Sequence, residues 1–251
     1  MYETDLTETQ WQCIKNHLPN INRKRKNSLR EIINAILYLN KTGCQWRYLP
    51  KSYPKWQLVF YYFNVWQIQE IWDDLMIRIT EMAREKSKRN KQPSVVIVDC
   101  QSVKTTMVGG LRGYDGNKKV KGRKRHIAVG TQGNLIDTIV HCANQHETQT
   151  LELLVQKLKE HQFHIIKIIA DAGYRGEIIN TMKNKYNIIL EVIPRNKIKA
   201  AFAVQAKRWI VERTISWFDG SRRLCRDFER LLENSRAMVL IFAIRLSLNK
   251  F

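Results

Sequence analysis

The chain has 251 residues, with 43 Lys and Arg against 23 Asp and Glu, and its formal net charge is +20. An apolar fraction of 44% excludes a disordered tail, and the length allows a real hydrophobic core. The longest apolar run, residues 237–244, is far shorter than the roughly 18 residues that span a bilayer. The N-terminus does not read as a secretory signal, and five cysteines without a close pair predict free thiols. We therefore expect a cytoplasmic protein.

The positive charge is clustered along the chain. Residues 23–26 form one basic run, and residues 118–125 contain six further lysines and arginines opposed only by Asp115. Clustered positive charge attracts polyanions, of which nucleic acid is the most abundant. A solvated surface that only keeps the protein soluble is the alternative interpretation.

Residues 1–92 are predicted to form a small all-α domain. Thr7 with Gln10 and Ser28 with Glu31 form capping-box patterns ahead of apolar residues at helical spacing. A third helix is predicted to begin near Pro54 and to carry one apolar stripe as far as residue 79. The polar stretch 84–92 ends this domain.

Three short helices with basic connections are typical of a helix-turn-helix module, whose recognition helix enters the major groove. The aromatic residues between positions 56 and 66 favour core packing over base contact. Lys55, Gln57 and Asn64 are the better candidates for touching DNA.

Residues 93–251 show a different periodicity, which predicts alternating strands and helices. The β-branched run 95–98 predicts a buried strand that stops at Asp99, and a second apolar strand, 165–170, ends at Asp171. The other predicted elements are a hairpin of strands 126–129 and 135–140, helices at 148–161 and up to about 186, a strand at 188–193 and a helix at 207–218. This order predicts an α/β domain with a mixed sheet.

Three carboxylates are candidates for chemistry. Asp99 and Asp171 converge at one sheet edge if their strands are neighbours, and such a pair suits a hard divalent cation. Each Asp alone can simply start a turn. Glu212 lies in a predicted helix one turn after Arg208, and that pair can equally be a surface ion pair.

Four segments of the second domain resemble, in order and spacing, the DDE transposases of the insertion sequence 5 family. They read VIVDCQSVKTT, GYDGNKKVKGRKRHI, IIADAGYRG and RWIVERTISWFDGSRRLCRDFE. The front end, with LTETQWQCIKNHLP and LREIINAILYLNKTGCQWRYLPKSYPKW, is similar to the N-terminal helical region of that family. The resemblance implies an RNase H-like catalytic domain, its mixed sheet flanked by helices, behind a helix-turn-helix-like domain.

The resemblance also implies a catalytic triad of Asp99, Asp171 and Glu212. These residues would hold two Mg²⁺ ions, for which Mn²⁺ can substitute. The related pattern Tyr-x2-Arg-x3-Glu-x6-Lys matches at Arg208 and Glu212, so Arg208 joins the catalytic set. Its Tyr and Lys positions hold Gln205 and Asp219 instead.

A helix that continued through Gly220 would place Arg223 about three turns beyond Glu212, where it could supply the missing cation. We also expect a set of basic side chains to bind nucleic acid: Lys104, Lys118, Lys119, Lys121, Arg123, Lys124, Arg125, Arg213, Arg222 and Arg223.

The function implied is a transposase that binds the terminal inverted repeats of its insertion sequence and cleaves and transfers DNA strands. Its partners would be the double-stranded DNA of the element ends and of the target, without a membrane. A homodimer or higher oligomer on DNA is expected, at the bacterial nucleoid. A catalytically inactive DNA-binding derivative and an RNase H-like nuclease are the alternatives.

Two other chemistries are not favoured by the sequence. Cys100 and Ser102 lie near Asp99, but no placed base activates either as a nucleophile. His141, Cys142 and His146 lack the paired cysteine spacing of structural zinc sites, so we expect no zinc.

Overall fold

The computed structural model describes residues 2–107, 109–193 and 207–251. Its front consists of the helices α1 (Glu8–Ile14), α2 (Leu29–Thr42), α3 (Trp56–Ile68) and α4 (Ile71–Lys86). The capping boxes predicted at Thr7 and Ser28 are both present, each with reciprocal side-chain and backbone hydrogen bonds. Local sequence signals therefore determine where the first two helices begin.

The single third helix predicted from the sequence is wrong, because α3 and α4 are separate. The chain turns at Glu70, whose φ of 56° is left-handed, and α4 begins at the next residue. Across the turn, the Trp72 indole N–H donates to the Phe63 carbonyl and Trp66 packs edge-on against Trp72. The sequence pattern does not indicate this break, because both helices present apolar residues to the same core and the apolar stripe continues across the turn.

The described part of residues 93–251 contains a six-stranded mixed sheet. Its strands are β1 (Val95–Lys104), β2 (Gly113–Asp115), β3 (Val120–Gly130), β4 (Leu135–Cys142), β5 (Lys167–Asp171) and β6 (Ile189–Ile193). Central β1 pairs antiparallel with β3 and parallel with β5, while β4 and β6 lie outside them. The order β4-β3-β1-β5-β6, with three antiparallel strands followed by two parallel ones, confirms the RNase H-like fold.

Helices cover both faces of this sheet. The bounds of the remaining helices are α5 (Glu147–Glu160), α6 (Ile178–Tyr186), α7 (Arg208–Ser216), α8 (Arg222–Cys225) and α9 (Leu232–Leu248). Val96 and Val98 of β1 pack in one core with α5 and α6, whereas Ile97 packs in the other with α7, α9 and the front helices. Alternate residues of β1 thus face different cores.

The prediction that the first strand stops at Asp99 is wrong. β1 continues to Lys104, and Asp99 lies opposite Ile127 in mid-strand. The residues after Asp99 are mostly polar, so the hydrophobicity pattern does not predict the rest of the strand. They nevertheless pair with β3 as far as Gly122. The short β2 was not predicted either.

Helix α9 was also missed by the sequence pattern, which shows an apolar run there but no amphipathic face. Its residues are buried on nearly all sides, against α2, α3, α4 and β4. The core therefore continues across the predicted domain boundary at residues 92 and 93, a boundary that stays a prediction. Among the described helices, none combines the length and apolarity that crossing a lipid bilayer needs.

A buried charge network joins α4, β4 and α9. The Arg236 guanidinium donates to Asp73 Oδ2 at 2.9 Å and to Asp137 Oδ1 at 2.7 Å, and its Nε donates to the Thr138 carbonyl. Burial opposes the ionisation of Asp73, but His161 and Arg236 outweigh it and hold the pKa of this carboxyl well below its usual range. The network fixes the front helices to the sheet.

We expect Arg236→Ala to lower the free energy of unfolding by about 3–5 kcal/mol, because it removes the guanidinium that bonds to two buried carboxylates. The control Arg78→Ala removes an exposed ion pair with Glu81 and should cost less than about 1 kcal/mol. Urea unfolding at pH 7 measures both variants. The pKa of Asp73 is lowered in the folded state, so the stabilisation by its ionised form is lost as this carboxylate is protonated. The difference in free energy of unfolding between wild type and Arg236→Ala should therefore become smaller below about pH 4. An equal loss of unfolding free energy in the two variants would contradict the role of Arg236 in the buried network.

Candidate active site

The register of β1 and β5 brings Asp99 and Asp171 together. These parallel strands pair Val95 with Lys167 and Ile97 with Ile169. Extending that register by two residues places Asp99 level with Asp171, and a step of two keeps both side chains on the face of Ile97. The two carboxylates predicted from separate motifs therefore lie side by side.

Helix α7 packs over this face and carries the third carboxylate. Ile210 and Val211 are buried in the same core as Ile97, which fixes the helix against the sheet. Arg208 Nη2 lies 2.8 Å from Glu212 Oε1, one helical turn away. The Glu212 side chain is 53% exposed and that of Arg208 only 13%. The acidic group thus faces solvent while its arginine partner lies deeper.

The electrostatics of Asp99 connect these groups. Burial raises the pKa of Asp99 to about 6, and the charge of Asp171 acts in the same direction. The Cys100 N–H, which donates to Asp99 Oδ1 at 2.7 Å, and the charge of Arg208 oppose that rise. Asp99 is therefore a half-buried carboxylate with too little positive charge around it among the described residues.

This donor set fits a divalent cation. Carboxylate oxygens are the ligands that Mg²⁺ and Mn²⁺ prefer, and a cation would supply the charge that Asp99 lacks. Asp99, Asp171 and Glu212 do not form a closed three-ligand cluster in the part of the chain that the structure describes. Glu212 is bonded to Arg208 instead, and its role as a ligand stays a prediction.

A fourth acidic residue lies beside Asp171 and was missed by the sequence analysis. A Cβ added to Gly173 would be 2.6 Å from Glu147 Oε2 and 3.0 Å from Asp171 Oδ1, so the two oxygens flank the same point. Gly173 also donates its N–H to Asp171 Oδ1. Glu147 begins α5, and an acidic residue in a first helical turn is too common to be recognised as a site residue from sequence.

Five of the predicted DNA-binding side chains are exposed, namely Lys104, Lys118, Lys119, Lys121 and Arg222. Lys118 lies close to Asp99, since its ammonium donates to the Cys100 carbonyl at 2.6 Å and its charge lowers the pKa of Asp99. Arg213 is half-buried between the rings of Trp209 and Trp217, 4.7 and 4.8 Å from their centroids. Contact of these residues with DNA stays a prediction.

The assignment of Arg123, Lys124 and Arg125 to DNA contact is corrected, because all three are buried. Arg123 is 0% exposed and bonds to Asp227 Oδ1 at 3.1 Å and to the carbonyls of residues 229 and 230. Arg125 donates to the Leu224 carbonyl, and the Lys124 ammonium donates to the Gln145 carbonyl. They hold neighbouring chain segments against β3 and offer no charged group to a phosphate.

The prediction that Arg223 supplies the missing cation and contacts DNA is corrected in the same way. Helix α7 ends at Ser216, and a 3-10 turn follows at Trp217–Gly220, so the helix does not continue to Arg223. The Arg223 guanidinium is buried in an ion pair with Glu229 at 2.6 Å. Asp219 is exposed, and Gln205 lies outside the described residues.

The other candidates for DNA contact lie in the front helices and differ in exposure. Lys55 and Gln57 are exposed at the start of α3. Asn64 donates to the Phe60 carbonyl and accepts from Asn234 of α9, so it faces the protein interior. Of the aromatic residues, Phe63 and Trp66 are buried as predicted, whereas Tyr61 is exposed.

Two family models match the chain. A model described as "Putative transposase of IS4/5 family" matches residues 6–76. A model described as "Transposase DDE domain" matches residues 90–247, which include Asp99, Asp171 and Glu212. Among solved structures, the Mos1 transposase paired-end complex with left transposon end is similar at 12% identity and a TM-score of 0.28, over 81% of this chain and 78% of that one. No curated protein matches the chain.

We expect Arg208→Ala to reduce metal-dependent DNA cleavage well beyond the roughly twofold effect of losing a surface ion pair worth about 0.3–0.5 kcal/mol. The reason is that Arg208 positions Glu212 and its charge also reaches Asp99. DNA affinity should change little. Lys185→Ala, which removes an exposed ion pair with Glu152, is the matched control. Single-turnover cleavage and gel shifts measure the two effects, and unchanged turnover in Arg208→Ala would favour a mere surface pair.

Proposed function

Because the chain belongs to the transposases with a DDE domain and has an IS4/5-type front end, we propose that it binds the terminal inverted repeats of an insertion sequence. There it cleaves the DNA and transfers the freed strand to a target. The observation that carries the proposal is the register that brings Asp99 level with Asp171 beneath α7. Glu212 comes from α7, and in this proposal it joins the two aspartates as the third carboxylate.

Asp99, Asp171 and Glu212 would hold the divalent ions, Mg²⁺ or Mn²⁺ in its place. When bound, such ions neutralise the negative charge that develops on a phosphate under attack and activate the attacking oxygen. Asp99 is suited to a fixed position, because β1 is hydrogen-bonded to β3 and β5 along its two edges. Glu212 is suited to adjust, because it is exposed and, among the described residues, only Arg208 forms an ion pair with it.

The surroundings of the carboxylates favour DNA as the substrate. Lys118 and Arg208 both reach the site with positive charge, and the whole chain carries +20. Positive groups beside acidic ones allow a phosphodiester to approach carboxylates that would otherwise repel it. Water would first release a 3′-hydroxyl at the element end, and that hydroxyl would then attack target DNA.

The alternatives are less well supported. An inactive derivative needs no intact set of three carboxylates, whereas this chain has all three carboxylates that the sequence motifs predict. A nuclease that reads only the DNA backbone needs no sequence-reading front domain, whereas the front of this chain matches a transposase model. We propose that the protein acts on DNA in the cytoplasm as a dimer or higher oligomer, since both ends of an element must be brought together.

Asp99→Asn, Asp171→Asn and Glu212→Gln should each abolish strand cleavage while leaving specific DNA binding largely intact, because these groups hold metal and not DNA. Asp219→Asn is the control, since Asp219 is an exposed acid of the same region outside the proposed triad. Cleavage of labelled element ends in Mg²⁺ and gel shifts in its absence measure the outcome. Substantial cleavage by any one of the three variants would remove that residue from the triad.

Lys119→Ala combined with Lys121→Ala should flatten the dependence of log affinity on log salt by about two, because each lost phosphate contact accounts for about 0.9. Both side chains are exposed, Lys119 just before β3 and Lys121 at the start of that strand. Affinity for element ends and for random DNA should fall alike, since phosphates carry no sequence information.

Lys124→Ala is the matched control for this slope, because its ammonium is buried near Asp115 and Glu147. The slope of this variant should equal that of the parent. A double variant whose titration overlays the parent would show that the lysine run is only a solvated surface.

A further inference from the structure

Three potential metal ligands come together behind Asp99, on the opposite face of β1. The ligand atoms of Cys100, His126 and His141 all lie within 4.8 Å of one another, and no other group of this kind occurs in the described ranges. Cys100 lies opposite His126 in the β1–β3 ladder, and His141 comes from β4. The three residues are 4%, 0% and 5% exposed. The cluster thus spans three adjacent strands in the protein interior.

The spacing of the two imidazoles suits a tetrahedral ion. His126 Nδ1 and His141 Nε2 are 3.3 Å apart. Two nitrogens at the usual Zn–N distance of about 2.0–2.1 Å in tetrahedral geometry are separated by about 3.3–3.4 Å. Thr150 Oγ1 lies 3.1 Å from His141 Nε2 and marks a position for a fourth ligand or for water.

The facing nitrogens of the two rings are hydrogen-bonded to each other, and the hydrogen bonds on the far side of each ring allow both nitrogens to act as ligands. His141 Nδ1 lies 2.9 Å from the Cys142 carbonyl, which can only accept, so Nδ1 carries the proton and Nε2 presents a lone pair to the cluster. His126 Nε2 is bonded to the Tyr174 hydroxyl, which can donate or accept. His126 can therefore move its proton to Nε2 and free Nδ1 without losing that bond. Such outer partners commonly orient metal-binding histidines.

Charges of both signs surround the cluster, because the ammonium groups of Lys118 and Lys124 and the carboxylate of Glu147 all act on Cys100. The Lys124 ammonium is nearby, but it lies 3.6 Å from Asp115 Oδ2 and 3.7 Å from Glu147 Oε1. Two carboxylates thus offset its repulsion of a cation. Sulfur and imidazole ligands select Zn²⁺ over Mg²⁺, whereas the carboxylates on the other face of β1 select the harder ion.

We propose that Cys100, His126 and His141 form a structural Zn²⁺ site that ties β1, β3 and β4 together behind the catalytic carboxylates. On binding, the Cys100 thiol releases its proton to solvent and the sulfur bonds to the metal. The site uses none of Asp99, Asp171 and Glu212, so it does not rest on the proposed DNA chemistry.

Co²⁺ titration of the full-length, metal-free protein tests the site, because thiolate-to-cobalt charge transfer absorbs in the near ultraviolet and oxygen ligands give no such band. We expect a band that saturates at one equivalent per chain and disappears when Zn²⁺ displaces Co²⁺. Asp99→Asn should keep the band, which separates this site from the carboxylate site. Tyr174→Phe should weaken Zn²⁺ binding about 10–100-fold, the usual effect of losing an outer partner.

Cys100→Ser should abolish the band, and Cys225→Ser, at an exposed cysteine, is the matched control that should keep it. A band that survives in Cys100→Ser would overturn the assignment, as would its absence from the wild type. X-ray absorption of the zinc-loaded wild type needs no variant. A first shell with one sulfur and two imidazoles supports the site, and a shell of oxygen and nitrogen alone refutes it.

Discussion

The position of β1 between β3 and β5 is the constraint on which the rest of the site depends. Because side chains alternate along a strand, its register decides which residues face α7 and which face α5. Asp99 faces α7 beside Asp171, and Cys100 faces the histidines of β3 and β4. A slip of one residue would exchange these two faces and separate the carboxylates. Hydrogen bonding on both edges of β1 prevents such a slip.

Position along the chain explains why one basic motif has two roles, because β3 is buried on both faces from Gly122 onward. In residues 113–127, the lysines at 118, 119 and 121 lie on the loop and at the strand entrance, where they are exposed. Further along β3, the charged groups of Arg123 and Arg125 turn inward and bond to the segment after α7. The two buried arginines bond to carbonyls and a carboxylate of that segment and fix it against the sheet. The same motif therefore provides the DNA-facing charge that we propose and a structural connection.

The front helices and the sheet share one core because of α9. This helix is apolar on nearly all sides, so it can pack against the front helices and the sheet at once. Arg236, on α9, adds the polar connection by bonding to Asp73 of α4 and Asp137 of β4. Helix α9 and this buried ion network therefore hold the front helices against the sheet.

The sequence by itself determined the features that depend on near neighbours. Local patterns predicted the capping boxes at Thr7 and Ser28, the apolar runs of β1 and β5 and the motifs around the three carboxylates. Each of these features involves only a few consecutive positions of the chain. Only the tertiary structure decided the break at Glu70, the length of β1 and the burial of Arg123, whose partner Asp227 lies 104 residues away. The ligands of the proposed zinc site come from three strands, so no sequence spacing reveals them. A local pattern records what a residue prefers, whereas burial and pairing depend on partners that only the folded chain brings together.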